Sequence, residues 1–326
     1  MSSTPLRTAP LNPELAEIHA QFLSTEINTP EELAIRRKRA AWAVEDVLRG
    51  REHIIQHEEI DFEGPAGPLK ATIFRPQPNY EPNHKIPASR IPGVLNIHGG
   101  GHVSGNRFMG VGGPLSWIEE FGATVISAEY RLAPEHPQPA QLDDTYAVLE
   151  QISARAEEFG FSKDYLFVFG GSAGGNLAAG VSLLARDRKG HKIRGQCLMC
   201  PWLDDSNTTV SMMQYGHLPP WSRSNSIDAC NYAFGVNREH VNMYTVPSHA
   251  KDLSDLPSTW IDVGEADVFR DESVEYASML WKAGVQTELH VWPGCWHGCS
   301  AFAPAAPVSQ RVRALRMEWV ESILFA

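Results

Sequence analysis

Tyr165-Leu166-Phe167-Val168-Phe169-Gly170-Gly171-Ser172-Ala173-Gly174-Gly175 is the stretch on which the reading of this chain turns. Its apolar run from Tyr165 to Phe169 predicts a strand buried on both faces, and the Ala- and Leu-rich run from Ala173 to Arg186 predicts a helix. Between them stands a serine whose flanks, Gly170 and Gly174, carry no side chains. A strained strand-to-helix turn that exposes a nucleophile demands that space. The opening helix also aims its first amides at negative charge developing nearby. A glycine-rich turn that only packs a helix on a sheet, or cradles a phosphate, is the competing reading.

Outward from this turn the chain alternates. Strand-like runs at Gly93 to Ile97, Ala123 to Ala128, Gly195 to Cys200, Thr259 to Val263 and Gln286 to Val291 are interleaved with helical patterns. Those patterns lie at Gly113 to Phe121, Leu142 to Glu158, Glu272 to Ala283 and Val308 to Phe325. Such alternation predicts a mostly parallel sheet covered on both faces. Upstream, His53 to Arg75 reads as a hairpin broken at Gly64-Pro65-Ala66-Gly67-Pro68. Leu11 to Gly50 reads as two helices parted at Asn28-Thr29-Pro30, with Arg36-Arg37-Lys38-Arg39 as a solvated helix face. From Pro201 to Lys251 the alternation stops, and Met212, Met213, Tyr215, Trp221, Tyr232 and Phe234 stand among prolines, glycines and asparagines. The expected organisation is cap helices over 1–50, a first part of the core over 51–200, a cap insertion over 201–250, and the rest of the core over 251–326.

Composition narrows the function. A chain of 326 residues with 43% hydrophobic content can bury one large core. A formal net charge of -11 argues against nucleic acid or an anionic membrane as partner, and points to a small, neutral substrate. Five unevenly spaced cysteines form no disulfide framework and suit a reducing compartment. Met1 to Pro10 lacks the apolar stretch of a secretory signal, and no run nears the roughly 20 apolar residues that cross a bilayer. The expected location is the cytoplasm, without stable membrane insertion. Cys197 with Cys200, and Cys295 with Cys299, have zinc-like spacings. Cysteines in a buried strand act as small apolar residues, so no metal is expected.

A serine nucleophile needs amides for an oxyanion, a base, and an acid to orient that base. His98-Gly99-Gly100-Gly101 follows the strand ending at Ile97, and its glycines leave amides bare and the approach open. This loop lacks the Lys-Ser/Thr of a P-loop and the spacing of a dinucleotide fingerprint. The acid and then the histidine follow the serine in chain order on such sheets. Asp267 and His297 each stand just past a predicted strand, at the edge where α/β sheets place their sites. Asp271 is the second candidate acid, ahead of Glu265 and Asp262, although Arg270-Asp271-Glu272 also reads as an acidic helix start.

These motifs, in order, resemble the hormone-sensitive-lipase family of α/β-hydrolases, also called the family IV bacterial esterases. The likeness rests on His98 to Gly101, the run Tyr130-Arg131-Leu132-Ala133-Pro134-Glu135-His136-Pro137, the serine turn, Asp267 with Arg270-Asp271-Glu272, and His297-Gly298, and spans about Gly93 to the C-terminus. It implies an α/β-hydrolase fold, with a mostly parallel eight-stranded central sheet flanked by helices and a helical cap. It further implies an oxyanion hole from the amides of Gly100, Gly101 and Ala173, beside catalytic Ser172, Asp267 and His297. Departures are Gly171 before the serine, where the family has Asp or Thr, and His102 after the glycines, where an aromatic residue is common.

The expected activity is therefore serine-dependent hydrolysis of small neutral esters with short acyl or acetyl groups, through an acyl-enzyme and without a cofactor. An amidase or formamidase of the same fold, and a non-catalytic small-molecule receptor, are the alternatives. His102, Asn106, Met213 and Trp221 are the expected substrate contacts, with Met212, Tyr215 and His217 as further wall candidates. The partner is a small-molecule ester, and a homodimer is left open.

Overall fold

The computed structural model describes residues 6–22 and 25–326, so Met1 to Pro5 of the stretch read for a leader lie outside the described residues. After a 3-10 turn at Pro13–Leu15, helices α1 (Ala16–His19), α2 (Pro30–Ala40) and α3 (Val44–Leu48) precede a hairpin of β1 (Ile55–Gly64) and β2 (Gly67–Pro76). The chain then runs through β3 (Gly93–Ile97), α4 (Gly112–Phe121), β4 (Thr124–Ala128), α5 (Ala140–Ala154), β5 (Leu166–Gly171), α6 (Ala173–Asp187) and β6 (Gly195–Met199). Helices α7 (Val210–Tyr215) and α8 (Arg223–Phe234) interrupt the alternation. It resumes with β7 (Ser258–Ala266), α9 (Arg270–Lys282), β8 (Thr287–Trp296), α10 (Cys299–Phe302) and α11 (Pro307–Leu324).

The eight strands form one sheet in the order β1-β2-β4-β3-β5-β6-β7-β8. β2 pairs antiparallel with both β1 and β4, and every other pair is parallel, so β2 alone runs against the rest. Strand pleating sends neighbouring side chains to opposite faces. Leu95, Val168, Leu198 and Ile261 accordingly meet α5, α6 and α9 through Leu149, Leu177 and Leu280. Their neighbours Val94, Phe167, Cys197 and Trp260 meet α4 and α11 through Trp117, Ile118, Trp319 and Val320. Each such Leu or Phe, withdrawn from water, contributes about 1.5–3 kcal/mol.

The N-terminal segment departs from the two-helix expectation. Helix α2 starts as its sequence dictates: Pro30 follows Thr29, whose Oγ1 accepts from the Glu32 amide at 3.2 Å while Glu32 Oε2 accepts from the Thr29 amide. The helix stops at Ala40 because Trp42 is drawn away. Asn106 Nδ2 donates to the Trp42 carbonyl at 2.8 Å, and α3 begins only beyond it. The first expected helix is also short, with α1 spanning Ala16–His19.

A third apolar cluster covers the C-terminal ends of the strands. Ile27 and Leu33 from the N-terminal segment pack there with Met212, Tyr215, Trp221, Ala229 and Phe234 from the excursion after β6. Beneath them lie Val103, Ala133, Ala173, Ala266 and Phe269, each at or beyond the end of a strand. No helix of the described residues is long and apolar enough to cross a membrane.

Candidate active site

Ser172 stands between the last residue of β5 and the first of α6, with φ 56° and ψ -121°. Such backbone costs about 1–3 kcal/mol and persists only where its surroundings over-determine it. Here the Ser172 amide donates to the Met199 carbonyl at 2.9 Å, and the Ser172 carbonyl accepts from the Trp202 amide at 3.1 Å. A Cβ on Gly174 would collide with the carbonyl oxygen of Ile97, and one on Gly170 with the carbonyl of Gly174. The glycines are therefore required by β3 and α6 closing on the turn.

The pairing of β7 with β8 brings the other two residues together. Ala266 lies beside Trp296 in that register, so Asp267 and His297, the residue just after each strand, face one another. His297 Nδ1 lies 3.0 Å from Asp267 Oδ2, and His297 Nε2 lies 3.0 Å from Ser172 Oγ. Asp267 is fully buried and accepts at Oδ1 from the Phe269 amide at 2.9 Å, which fixes its carboxylate. Burial by itself would lower the His297 pKa, but the adjoining Asp267 carboxylate holds it well above the ordinary imidazole range. Asp271 does not approach His297. It accepts from the Ser211 amide at 2.7 Å and pairs with Arg270.

Beside Ser172 the His98–Gly101 loop is held by its own residues. The His98 ring stacks on Tyr130 at 4.0 Å between centroids, and the Tyr130 hydroxyl donates to the His98 carbonyl at 2.8 Å. Among the described residues no backbone carbonyl or side chain takes the amides of Gly100 or Gly101. Ala173 opens α6, where first amides have no intrahelical acceptor. Among the described residues these three amides thus have no protein acceptor.

A chamber of about 70 Å³ adjoins these groups, walled by Trp42, Met109, Phe169, Cys200, Trp221 and Phe302 among others. Of the four expected substrate contacts, only Trp221 reaches it. His102 is fully buried against Trp202 and Phe234, so it serves as an aromatic packing residue. Asn106 is spent on the backbone of Trp42, and Met213 is 56% exposed on the outer side of α7. Met212 and Tyr215 pack in the helical layer, and His217 is not part of the chamber wall.

Sequence reasoning missed Trp42, Cys200 and Glu272. Trp42 was assigned to a helix interior, and its place in the wall depends on Asn106. Cys200 follows β6 and turns its thiol toward His297, while burial pushes that thiol above its ordinary value and keeps it neutral. Glu272 stands in the first turn of α9, as a helix-start reading predicts, but its side chain does more. Its buried carboxylate accepts from the amides of Leu203 at 2.6 Å and Asp204 at 3.2 Å, pinning the chain that leaves β6 past the serine.

Metal-ligating residue types meet in two places among the described residues. Cys200, Asp267 and His297 bring one ligand atom each within 4.8 Å of one another, as do Asp204, Asp205 and His249. In the first group the imidazole and carboxylate already engage each other, and in the second Asp205 pairs with His249 and Arg238. Among the described residues the two cysteine pairs with zinc-like spacing together form no group of ligand atoms within 4.8 Å of one another. All five thiols are buried and free, with Cys197 in the core and Cys295 and Cys299 against each other.

Comparison with known proteins agrees with this geometry. A family model described as alpha/beta hydrolase fold matches residues 94–301. Esterase LipI of Mycobacterium tuberculosis is 31% identical over 260 residues, covering 77% of this chain and 77% of its own length. Carboxylesterase NlhH of the same organism is 36% identical over 226 residues, covering 67% of this chain and 70% of its own. Among solved structures, a bacterial heroin esterase superposes with a TM-score of 0.85 at 34% identity, covering 96% of this chain and 98% of its own. With its eight-stranded sheet, its serine turn and these relatives, the chain belongs to the hormone-sensitive-lipase family of α/β-hydrolases and is a carboxylesterase of that fold.

Proposed function

We propose that the protein hydrolyses small carboxylic esters with short acyl groups through an acyl-serine intermediate. The contact of His297 Nε2 with Ser172 Oγ at 3.0 Å carries this reading. In the first half-reaction His297 takes the hydroxyl proton while Ser172 Oγ attacks the ester carbonyl. The amides of Gly100, Gly101 and Ala173 receive the oxyanion, and Asp267 stabilises the imidazolium. Collapse breaks the ester C–O bond, and His297 returns its proton to the departing alkoxide. Water, deprotonated by His297, then attacks the acyl-serine; the bond from the acyl carbon to Ser172 Oγ breaks, His297 returns the proton to that oxygen, and the carboxylic acid leaves. The small chamber supports a short acyl group, and these steps need no cofactor. A receptor that only binds has no use for a base in hydrogen-bond reach of the serine, which speaks against that alternative.

The test is hydrolysis of p-nitrophenyl butyrate by the Ser172→Ala protein. Turnover is expected to fall by about 10⁴-fold or more with an unchanged unfolding transition. Retention of most activity would overturn the assignment.

A further inference from the structure

The chamber at Ser172 is too small for more than a short group, so the rest of any larger substrate must lie in the spaces adjoining it. One is a cavity of about 610 Å³ that shares Trp42, Gly110, Met199, Ser300 and Ala301 with the chamber wall. Another, of about 340 Å³, shares Arg36, Trp42, Met109, Pro220 and Phe302 with it. Both are lined by arginines in a chain whose net charge is -11.

The charged residues of the larger cavity are Arg39, Arg49, Arg51, Arg313 and Arg316 against the single carboxylate of Asp46. Arg49 pairs with Asp46, Arg51 with Glu119, and Arg316 with Asp262. Arg39 reaches only the hydroxyl of Thr25, at 2.6 Å, and among the described residues neither it nor Arg313 has a carboxylate partner. Even with Glu119 and Asp262 counted behind the wall, two guanidiniums remain unmatched. Two buried polar atoms of the same wall, Ser309 Oγ and Arg316 Nε, also have no hydrogen-bond partner. The smaller space is lined by Arg36 and again Arg39 and by no acidic residue, with the Glu26 carboxylate behind it close enough to Arg36 to favour its charged form. In either of these two spaces the far end of a substrate extending from Ser172 meets guanidinium.

From this arrangement we infer that the ester substrate carries an oxyanion, a carboxylate or a phosphate, several bonds from the scissile carbonyl, bound by Arg39 with Arg313 or Arg36. Guanidinium matches either group with two parallel N–H donors. The neutral substrate expected from net charge gives way, because the field at a cleft is set by the charges lining it. The run Arg36 to Arg39 divides accordingly. Arg36 and Arg39 line these spaces, whereas Arg37 holds Glu135 at 2.6 Å.

The inference rests on the ester-hydrolase reading, and a matched substrate pair separates the two. The mono-p-nitrophenyl ester of glutaric acid is compared with p-nitrophenyl valerate, with glutarate and phenyl phosphate as competing ligands against the neutral ester. An alcohol-side pair, 4-acetoxybenzoate and phenyl acetate, covers an anion on the leaving group. An anionic ester is expected to be favoured in kcat/KM by about tenfold or more in one pair, with glutarate or phenyl phosphate inhibiting according to which oxyanion fits. That preference should collapse toward unity in Arg39→Gln with Arg313→Gln. In the unsubstituted protein it should also shrink as salt rises to about 1 M, where screening acts within about 3 Å. No preference in either pair, or one indifferent to both the substitutions and salt, overturns the inference while turnover of the neutral esters leaves the hydrolase reading standing. Absence of turnover for every ester defeats the hydrolase reading instead.

Discussion

The rim of the sheet and the helical layer above it are built by different means. At the rim the candidate site residues and their neighbours are placed by backbone pairing: the Ser172 amide on Met199, the Cys200 amide on Asp262, and Ala266 in register with Trp296. In the layer, single side chains do the fastening. Arg37 reaches the carbonyls of Val103 and Ala133, Arg36 that of Pro220, and the Tyr232 hydroxyl that of Ile27. Backbone pairing is dictated by strand periodicity. A long side chain can find its carbonyl only after the fold exists, so the layer is readable only in three dimensions.

The largest effect sought from this contrast lies at the rim. Asp267→Asn is expected to reduce kcat by about 10⁴-fold, as loss of the orienting carboxylate does in such triads. The same substitution bears on pH dependence. His297 acts as a base only when neutral, so kcat/KM should climb as pH rises through its pKa, with a midpoint above the ordinary value of about 6.5. Removing the Asp267 charge should move that midpoint down, and a profile whose midpoint stays put would break the assignment of the shift to Asp267.

Gly101→Ala probes where rim and layer touch. Gly101 has φ 67°, and an added Cβ would enter the ring of Trp221 in the layer above. Activity is expected to fall by about 10²-fold or more if its amide serves the oxyanion. Adding Trp221→Ala should restore part of that loss, and strict additivity in the double variant would show that the two regions do not meet there.

Smaller effects belong to the layer itself. Arg37→Ala removes bonds to two carbonyls and to Glu135, and should cost about 1–3 kcal/mol of stability by chemical denaturation, with a larger change in KM than in kcat. Met213→Ala should change neither stability, beyond about 0.5 kcal/mol, nor any kinetic constant, because the side chain is exposed and outside the chamber. A clear KM change in the Met213 variant would return it to the substrate contacts expected from the sequence.

Legibility follows the same division. The strand-helix alternation, the hairpin at Gly64 to Gly67 and the serine turn were each readable from a short window, and β7 and β8 differ from expectation mainly by running on to Ala266 and Trp296. The pocket was not. His102 carries a motif position but lies among Trp202 and Phe234, and Asn106 acts one residue removed, through Trp42. Glu272 stands in the first turn of α9 as its sequence context predicts, but its further role as acceptor for the chain leaving β6 is not legible there.

By itself the sequence determined that a parallel sheet forms, that a serine is presented on a glycine-flanked turn, and that an acid and a histidine end two later strands. Periodicity and the steric demand of a tight turn are local properties, legible within about ten residues. Only the tertiary structure decided that Trp42 walls the site, that the thiol of Cys200 faces His297, and that arginines from α2, α11 and the chain before β1 gather beside the chamber. Those placements come from segments far apart in the chain packing over one edge, and no local pattern encodes which side chains will converge there.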